Sequence, residues 1–135
     1  MWSDLSSFAF GDTKELNEEL LASTLSGTKT ATCWAASGPL ARVGACCVIL
    51  DSCSRPRALI KIKTVDKVLF NDVDESFAFR EGAKDRTLAG WRKLHKDYFT
   101  RLNQFTENML VNCVTFELVE ALPLAEPKNL SGDVG

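Results

Sequence analysis

The chain has a single histidine, His95, and none of its five cysteines stands in a C-x-x-C pair. A structural zinc site draws four ligands from close Cys and His pairs, so the sequence predicts no metal of that kind. The cysteine count is odd, and Cys46 and Cys47 are adjacent. Cys46, Cys47 and Cys113 lie in apolar runs, where a free cysteine behaves as a small hydrophobe. Such usage suits a reducing, cytoplasmic setting rather than a disulfide framework. Long apolar runs are missing too. No stretch approaches the roughly 20 residues of a membrane span. The opening "MWSDLSSFAF" has no basic segment ahead of an apolar one, so no signal peptide is expected. Repeats and low-complexity segments are absent. An overall basic excess is absent as well: the net charge of −2 argues against a general polyanion binder.

What is present is one domain's worth of chain. The 135 residues are 45% hydrophobic and 25% charged, ordinary for a globular protein and enough for a core without staples. Charge is unevenly spread. Residues 1–26 and 107–135 each carry one lysine against five acids. Residues 80–101 hold Arg80, Lys84, Arg86, Arg92, Lys93, Lys96 and Arg101 against Glu81, Asp85 and Asp97. That basic stretch is either local attraction for phosphate or a solvated helix face.

The pattern of apolar residues sets out the elements. "GDTKELNEELLASTLSGTK" predicts a helix capped by Asp12 or Thr13, with a stripe of Leu16, Leu20, Leu21 and Leu25 and Gly27 at its left-handed stop. "KTATCW" alternates as a strand, and "ASGPLARVG" is a loop. "ACCVILD" and "RALIKIKTVDKVLF" read as a hairpin around "SCSRP", with Lys61 and Lys63 on the wet face of an edge-like strand. A helix capped by Asp72 or Asp74 follows and is broken at Gly82. The second helix carries Leu88, Trp91, Leu94, His95 and Tyr98 or Phe99, with Trp91 expected in the core and His95 packed or half-exposed. "MLVNCVTFELVEAL" is a last strand, with Leu110, Asn112, Val114, Phe116 and Leu118 on one face. Strands interrupted by unequal helices, with an antiparallel hairpin, predict an α+β fold: a small closed or partly closed barrel with helices packed outside. One domain is expected over 1–120, with a flexible C-terminal tail over 121–135.

The segment "SGTKTAT" places Lys29 and Thr32 three residues apart, just past the end of the first helix. Together with "RPRALIKI" and "REGAKDRTLAGWRK" downstream, it resembles the ASCH domain, whose signature is G-x-K-x-x-T at this place. Here that is Gly27, Lys29 and Thr32. The similarity runs from about Phe10 to Val119. Thr28 stands where a second lysine is common among relatives, which removes one positive charge from the pocket mouth.

The resemblance implies a small PUA-like β-barrel flanked by helices, with a cleft lined by the signature and a ligand that is RNA or a nucleoside. It also implies one of two activities: cleavage of single-stranded RNA, linked to the longer bacterial members whose layout this chain resembles best, or deacylation of N4-acetylcytidine, linked to shorter ones. The lysine, threonine and glutamate of the deacylating members correspond to Lys29, Thr32 and Glu81. For amide hydrolysis, Thr32 would supply the hydroxyl. Lys29 would be either its base or a cation that steadies the oxyanion while Glu81 handles the proton. For RNA cleavage, Lys29 would stabilise the charged transition state, with Glu81 as base and His95 as the other acid or base. Arg80, Arg86 and Arg92 would steer the strand, and Trp34 would stack a base. No cofactor is implied; a divalent metal enters only with ribonuclease chemistry. A non-catalytic RNA-binding module is the other class open to this fold. Neither a membrane partner nor an oligomeric state is indicated.

Overall fold

The strand β4 (Pro56–Leu69) organises the sheet, because its 14 residues are long enough to serve two partners. In this computed structural model, which describes residues 6–39, 41–82 and 86–123, β3 (Cys46–Leu50) pairs with its first half. β5 (Leu110–Ala121) pairs along nearly its whole length. β2 (Ala31–Ala35) adds to β5, and β1 (Ser6–Ala9) adds to β3, giving the order β1-β3-β4-β5-β2. All pairs are antiparallel except β1 with β3. Register shifts lie between Leu59 and Ile60 and between Ile62 and Thr64. Extra residues at such bulges bend a strand and increase its twist, so the sheet curls into a half-barrel.

The helices cover both faces of the curl. α1 (Lys14–Leu25) starts where the Thr13 side chain accepts from the Leu16 amide. It ends at Gly27, whose φ of +87° suits glycine. There the Thr28 amide donates to Ser23 O and the Gly27 amide to Thr24 O, the two bonds of a Schellman close. Its leucine stripe packs on Phe10, Ile49, Ile60, Ile62, Val114 and Phe116. α2 (Glu75–Glu81) is capped by Asp74 and α3 (Leu88–Arg101) by Thr87. They bury Ala78, Trp91 and Phe99 against Phe70, Val111 and Cys113 on the sheet's other side. The α+β half-barrel with flanking helices is therefore the architecture expected from the sequence.

Some details differ. β1 went unread, since four residues are too few to show a period. β4 is an interior strand, not an edge, although Lys61 and Lys63 do face water and Lys63 pairs with Glu117. β5 is covered on both faces, so Val111 and Cys113 are as buried as Asn112, Val114 and Phe116, while Leu110 is exposed. Leu122 packs with Val48 and Leu59, and its amide donates to Arg57 O, so the chain is still held at the start of the expected 121–135 tail. The rest of that tail, from residue 124, and residues 83–85 of the basic stretch lie outside the described residues. Among the described residues no helix is long and apolar enough to cross a membrane.

Asp51 secures the β3–β4 turn. Its carboxylate accepts from the Cys53 and Arg55 amides and from Arg55 Nε. Burial pushes its carboxyl up, but these donors outweigh burial and hold it below the ordinary value. A depressed carboxyl contributes stability above the ordinary carboxylate range and loses it as pH falls through that range. Asp51→Ala is expected to cost about 2 kcal/mol at neutral pH. Urea melts should show the gap between wild type and variant closing as the pH drops below 4.

Candidate functional site

Two helix ends meet at one lysine. The Lys29 amide donates to Ser23 O in the last turn of α1, and the Thr30 amide donates to Arg80 O in the last turn of α2. Gly82 ends α2 with a φ of +71°; a Cβ there would stand 3.1 Å from Lys29 Cα. This close approach carries the Glu81 side chain, one residue earlier, against the Lys29 side chain.

Both residues are almost fully buried, at 2% exposure each. Lys29 Nζ lies 2.5 Å from Glu81 Oε1, 2.6 Å from Ala31 O and 3.2 Å from Glu81 O. Three oxygens around one nitrogen match the three N–H groups of an ammonium. The Phe10 ring closes the remaining side at 4.9 Å. Glu81 Oε2 accepts from Trp91 Nε1 at 3.3 Å and lies 3.5 Å from His95 Nε2. Burial by itself would raise the Glu81 carboxyl. The Lys29 ammonium, and after it His95, hold it down instead, from an ordinary 4.5 to about 2.

His95 is fixed from the other side. Its Nδ1 stands 2.9 Å from Trp91 O, and its ring stacks on Trp91 at 4.3 Å. A carbonyl only accepts, so Nδ1 carries a proton and Nε2 is the atom left facing Glu81.

These groups line a cleft of about 880 Å³ that lies along the two free edges of the curled sheet. β1 and the residues after it contribute Phe8 and Phe10, β2 contributes Thr32, Cys33 and Trp34, and α3 contributes His95 and Tyr98. Thr32 is buried, and its hydroxyl has no hydrogen-bond partner among the described residues. It lines the same cleft as Lys29 and Glu81 without bonding to either. Trp34 donates through Nε1 to Pro39 O and packs on Phe8, which holds its ring at the wall. Cys33 is buried beside Glu81; burial, reinforced by the Glu81 charge, pushes its thiol well up. Cys33, Glu81 and His95 each bring one metal-binding atom within 4.8 Å of the others.

Lys29, Thr32, Glu81, Trp34 and His95 are thus gathered in one place. Gly27 shapes the turn but does not line the cleft, and nothing lies within 4 Å of its missing Cβ. The three arginines expected to steer a strand do not line it either. Arg80 precedes Glu81 by one residue, roughly 100° around a helix, so it points to a second groove that also holds Asp66, Asp72 and Asp74. Arg86 lies over the Phe79 ring at 3.5 Å, and Arg92 donates to Asn71 O. The aromatic wall of Phe8, Phe10 and Tyr98 was missed, as was Arg42 at the cleft. The alternation in "FAF" was the available signal for the first two.

Removing one member of a desolvated pair strands the other. Lys29→Met is expected to lose about 3–5 kcal/mol in a urea melt, whereas Lys29→Met with Glu81→Leu recovers most of that loss. The depressed Glu81 carboxyl stabilises the fold above pH 4.5, and that contribution is lost as pH falls from 4.5 towards 2. The double variant should lose less stability across this interval than wild type.

A family model for the ASCH domain matches residues 6–120. An ASCH domain from Lactobacillus crispatus JV V101 superposes with a TM-score of 0.79 at 28% identity, over 85% of this chain and 79% of that one. A protein from Enterococcus faecalis V583 superposes at 0.76 with 33% identity, over 86% and 77%. An ASCH protein from Zymomonas mobilis, at 13% identity and a TM-score of 0.58 over 97% and 80%, shares the fold alone. Among curated proteins none matches. With the family model matching nearly all of the described residues, the chain belongs to the ASCH domain family.

Proposed function

We propose that this protein is a hydrolase of a modified nucleoside, removing the acyl group of an N4-acylcytidine. The observation that carries this reading is the buried Lys29–Glu81 pair in the wall of an open, aromatic-lined cleft that also holds Thr32. A pair of charges taken out of water is a poor device for stability alone, so a task for it is the better account.

The geometry supports Lys29 as a cation rather than a base, because its three N–H groups are already given to oxygen. Glu81, ionised throughout the neutral range, holds that cation in place. The Thr32 hydroxyl attacks the acyl carbon, and its proton passes to His95 Nε2 as the carbonyl oxygen becomes an oxyanion, which the Lys29 charge steadies through space, its N–H groups being already taken. The C–N bond then breaks, the proton goes to the departing 4-amino group, and cytidine leaves. Water hydrolyses the threonine ester and releases the acid. Phe8, Phe10, Trp34 and Tyr98 give the base flat apolar surfaces to lie on.

RNA cleavage is the second reading, favoured by His95, an imidazole suited to passing protons, at the same wall. It is the weaker of the two because Arg80, Arg86 and Arg92, the residues that would track a strand, lie away from the cleft.

Mass spectrometry of N4-acetylcytidine and a short unstructured RNA, incubated together with the protein, tests both. The expected result is cytidine and acetate with wild type, a fall of about 100-fold or more in kcat for Lys29→Ala and Thr32→Val, and retained turnover for Thr32→Ser. Lys29-dependent shortening of the RNA with intact acetylcytidine would replace the proposal with a ribonuclease. Survival of both substrates would leave a binding module.

A further inference from the structure

Cys33, Glu81 and His95 arrive at one wall of the cleft from β2, α2 and α3, and one donor atom from each lies within 4.8 Å of the other two. The geometry points to a zinc site here, with Cys33 Sγ, a Glu81 carboxylate oxygen and His95 Nε2 as three ligands and a fourth, exchangeable position open to the cleft.

The donor set selects the ion. A thiolate with an imidazole is a poor match for calcium or magnesium, which take oxygen, and a good one for Zn²⁺. Three protein ligands with an open position is also the pattern of zinc sites that handle small ligands rather than hold a fold together. Zinc bonds of about 2.0–2.3 Å place tetrahedral ligands about 3.3–3.8 Å apart. His95 Nε2 and Glu81 Oε2 already stand 3.5 Å apart. The other two separations are within 4.8 Å, up to about 1.5 Å longer than tetrahedral ligation needs, so binding draws Cys33 Sγ inward.

Each ligand is oriented by a partner of its own. His95 Nδ1 is tied to Trp91 O and the ring is stacked on Trp91, so Nε2 is the presented atom. A histidine ligand held through its other nitrogen is the usual second layer of a metal site. Glu81 is held through Oε1 by Lys29 and through Oε2 by Trp91 Nε1. Cys33 is locked in β2 opposite Cys113 of β5. With Nδ1 tied to Trp91 O, Nε2 is the His95 atom that faces Glu81 Oε2, and an ion between them would bond to both.

Lys29 does not exclude the ion. It occupies Oε1, while the zinc uses the other oxygen. Binding releases the Cys33 thiol proton to solvent, and the thiolate and carboxylate together offset the charge of Zn²⁺. The site does not depend on the hydrolase reading, and its readout is metal binding. Occupancy and the proton transfer of that reading would nevertheless compete for His95 Nε2.

The test uses the full chain in a thiol-free reductant. Zn²⁺ is titrated by calorimetry, and Co²⁺ by absorption, where a thiolate ligand gives a charge-transfer band. The expected result is one ion per chain, a thiolate band, and affinity at least tenfold weaker in Cys33→Ser and in His95→Gln. Affinity should be unchanged when Cys46, Cys47 and Cys53 are all changed to Ser. Absence of the band in wild type overturns the proposal. So does affinity that survives both Cys33→Ser and His95→Gln, or that vanishes with the three outer cysteines. If Cys33→Ser does not fold by circular dichroism, His95→Gln and the triple variant decide the matter.

Discussion

The ion pair between Lys29 and Glu81 is the constraint around which the rest of this structure is arranged. Taking both charges out of water costs several kcal/mol per ion before their attraction is counted. Only tight geometry offsets it, and the chain supplies that geometry from two helix ends. The Schellman close of α1 presents Lys29, and the left-handed stop at Gly82 presents Glu81. The carbonyls of Ala31 and Glu81 use up the remaining ammonium protons, while Trp91 and His95 face the second carboxylate oxygen. Lys29 stands between α1 and β2, Ala31 begins β2, Glu81 ends α2, and Trp91 and His95 are in α3, so the pair also ties these elements to one another.

The cleft beside the pair follows from incomplete closure of the sheet. The bulged β4 curls the strands, yet among the described residues β1 and β2 each pair on one side only. Polar edges left bare are a hazard that natural sheets cover or use. Here both edges contribute to the cleft wall, with aromatic rings from Phe8, Phe10 and Trp34 lining it. A half-barrel with a lined opening is a container, and the buried charges give that container a chemical end.

Much of this was legible in the sequence because it is local. The caps at Thr13 and Asp74, the stops at Gly27 and Gly82, the leucine stripe of α1 and the β3–β4 hairpin each announce themselves within a few residues. The resemblance to the ASCH domain then singled out Lys29, Thr32 and Glu81. Less was readable where a residue's role depends on distant chain. β5 shows no clean alternation because helices cover both its faces. Arg80, Arg86 and Arg92 form a basic group along the chain, but a helix turn, the Phe79 ring and the Asn71 carbonyl separate them in space.

Residue order by itself determined where the helices begin and end, and hence that Lys29 would stand at a junction rather than inside an element. Those outcomes rest on backbone sterics and hydrogen bonds that close over three or four residues. Only the tertiary structure decided that the Lys29 ammonium would meet the Glu81 carboxylate 52 residues on, with Cys33 and His95 beside it. Such meetings depend on the curl of the sheet and the angle at which α2 and α3 dock. Both are set by the summed packing of Phe70, Trp91, Phe99 and their neighbours, a sum over many weak contacts that no short stretch of sequence encodes.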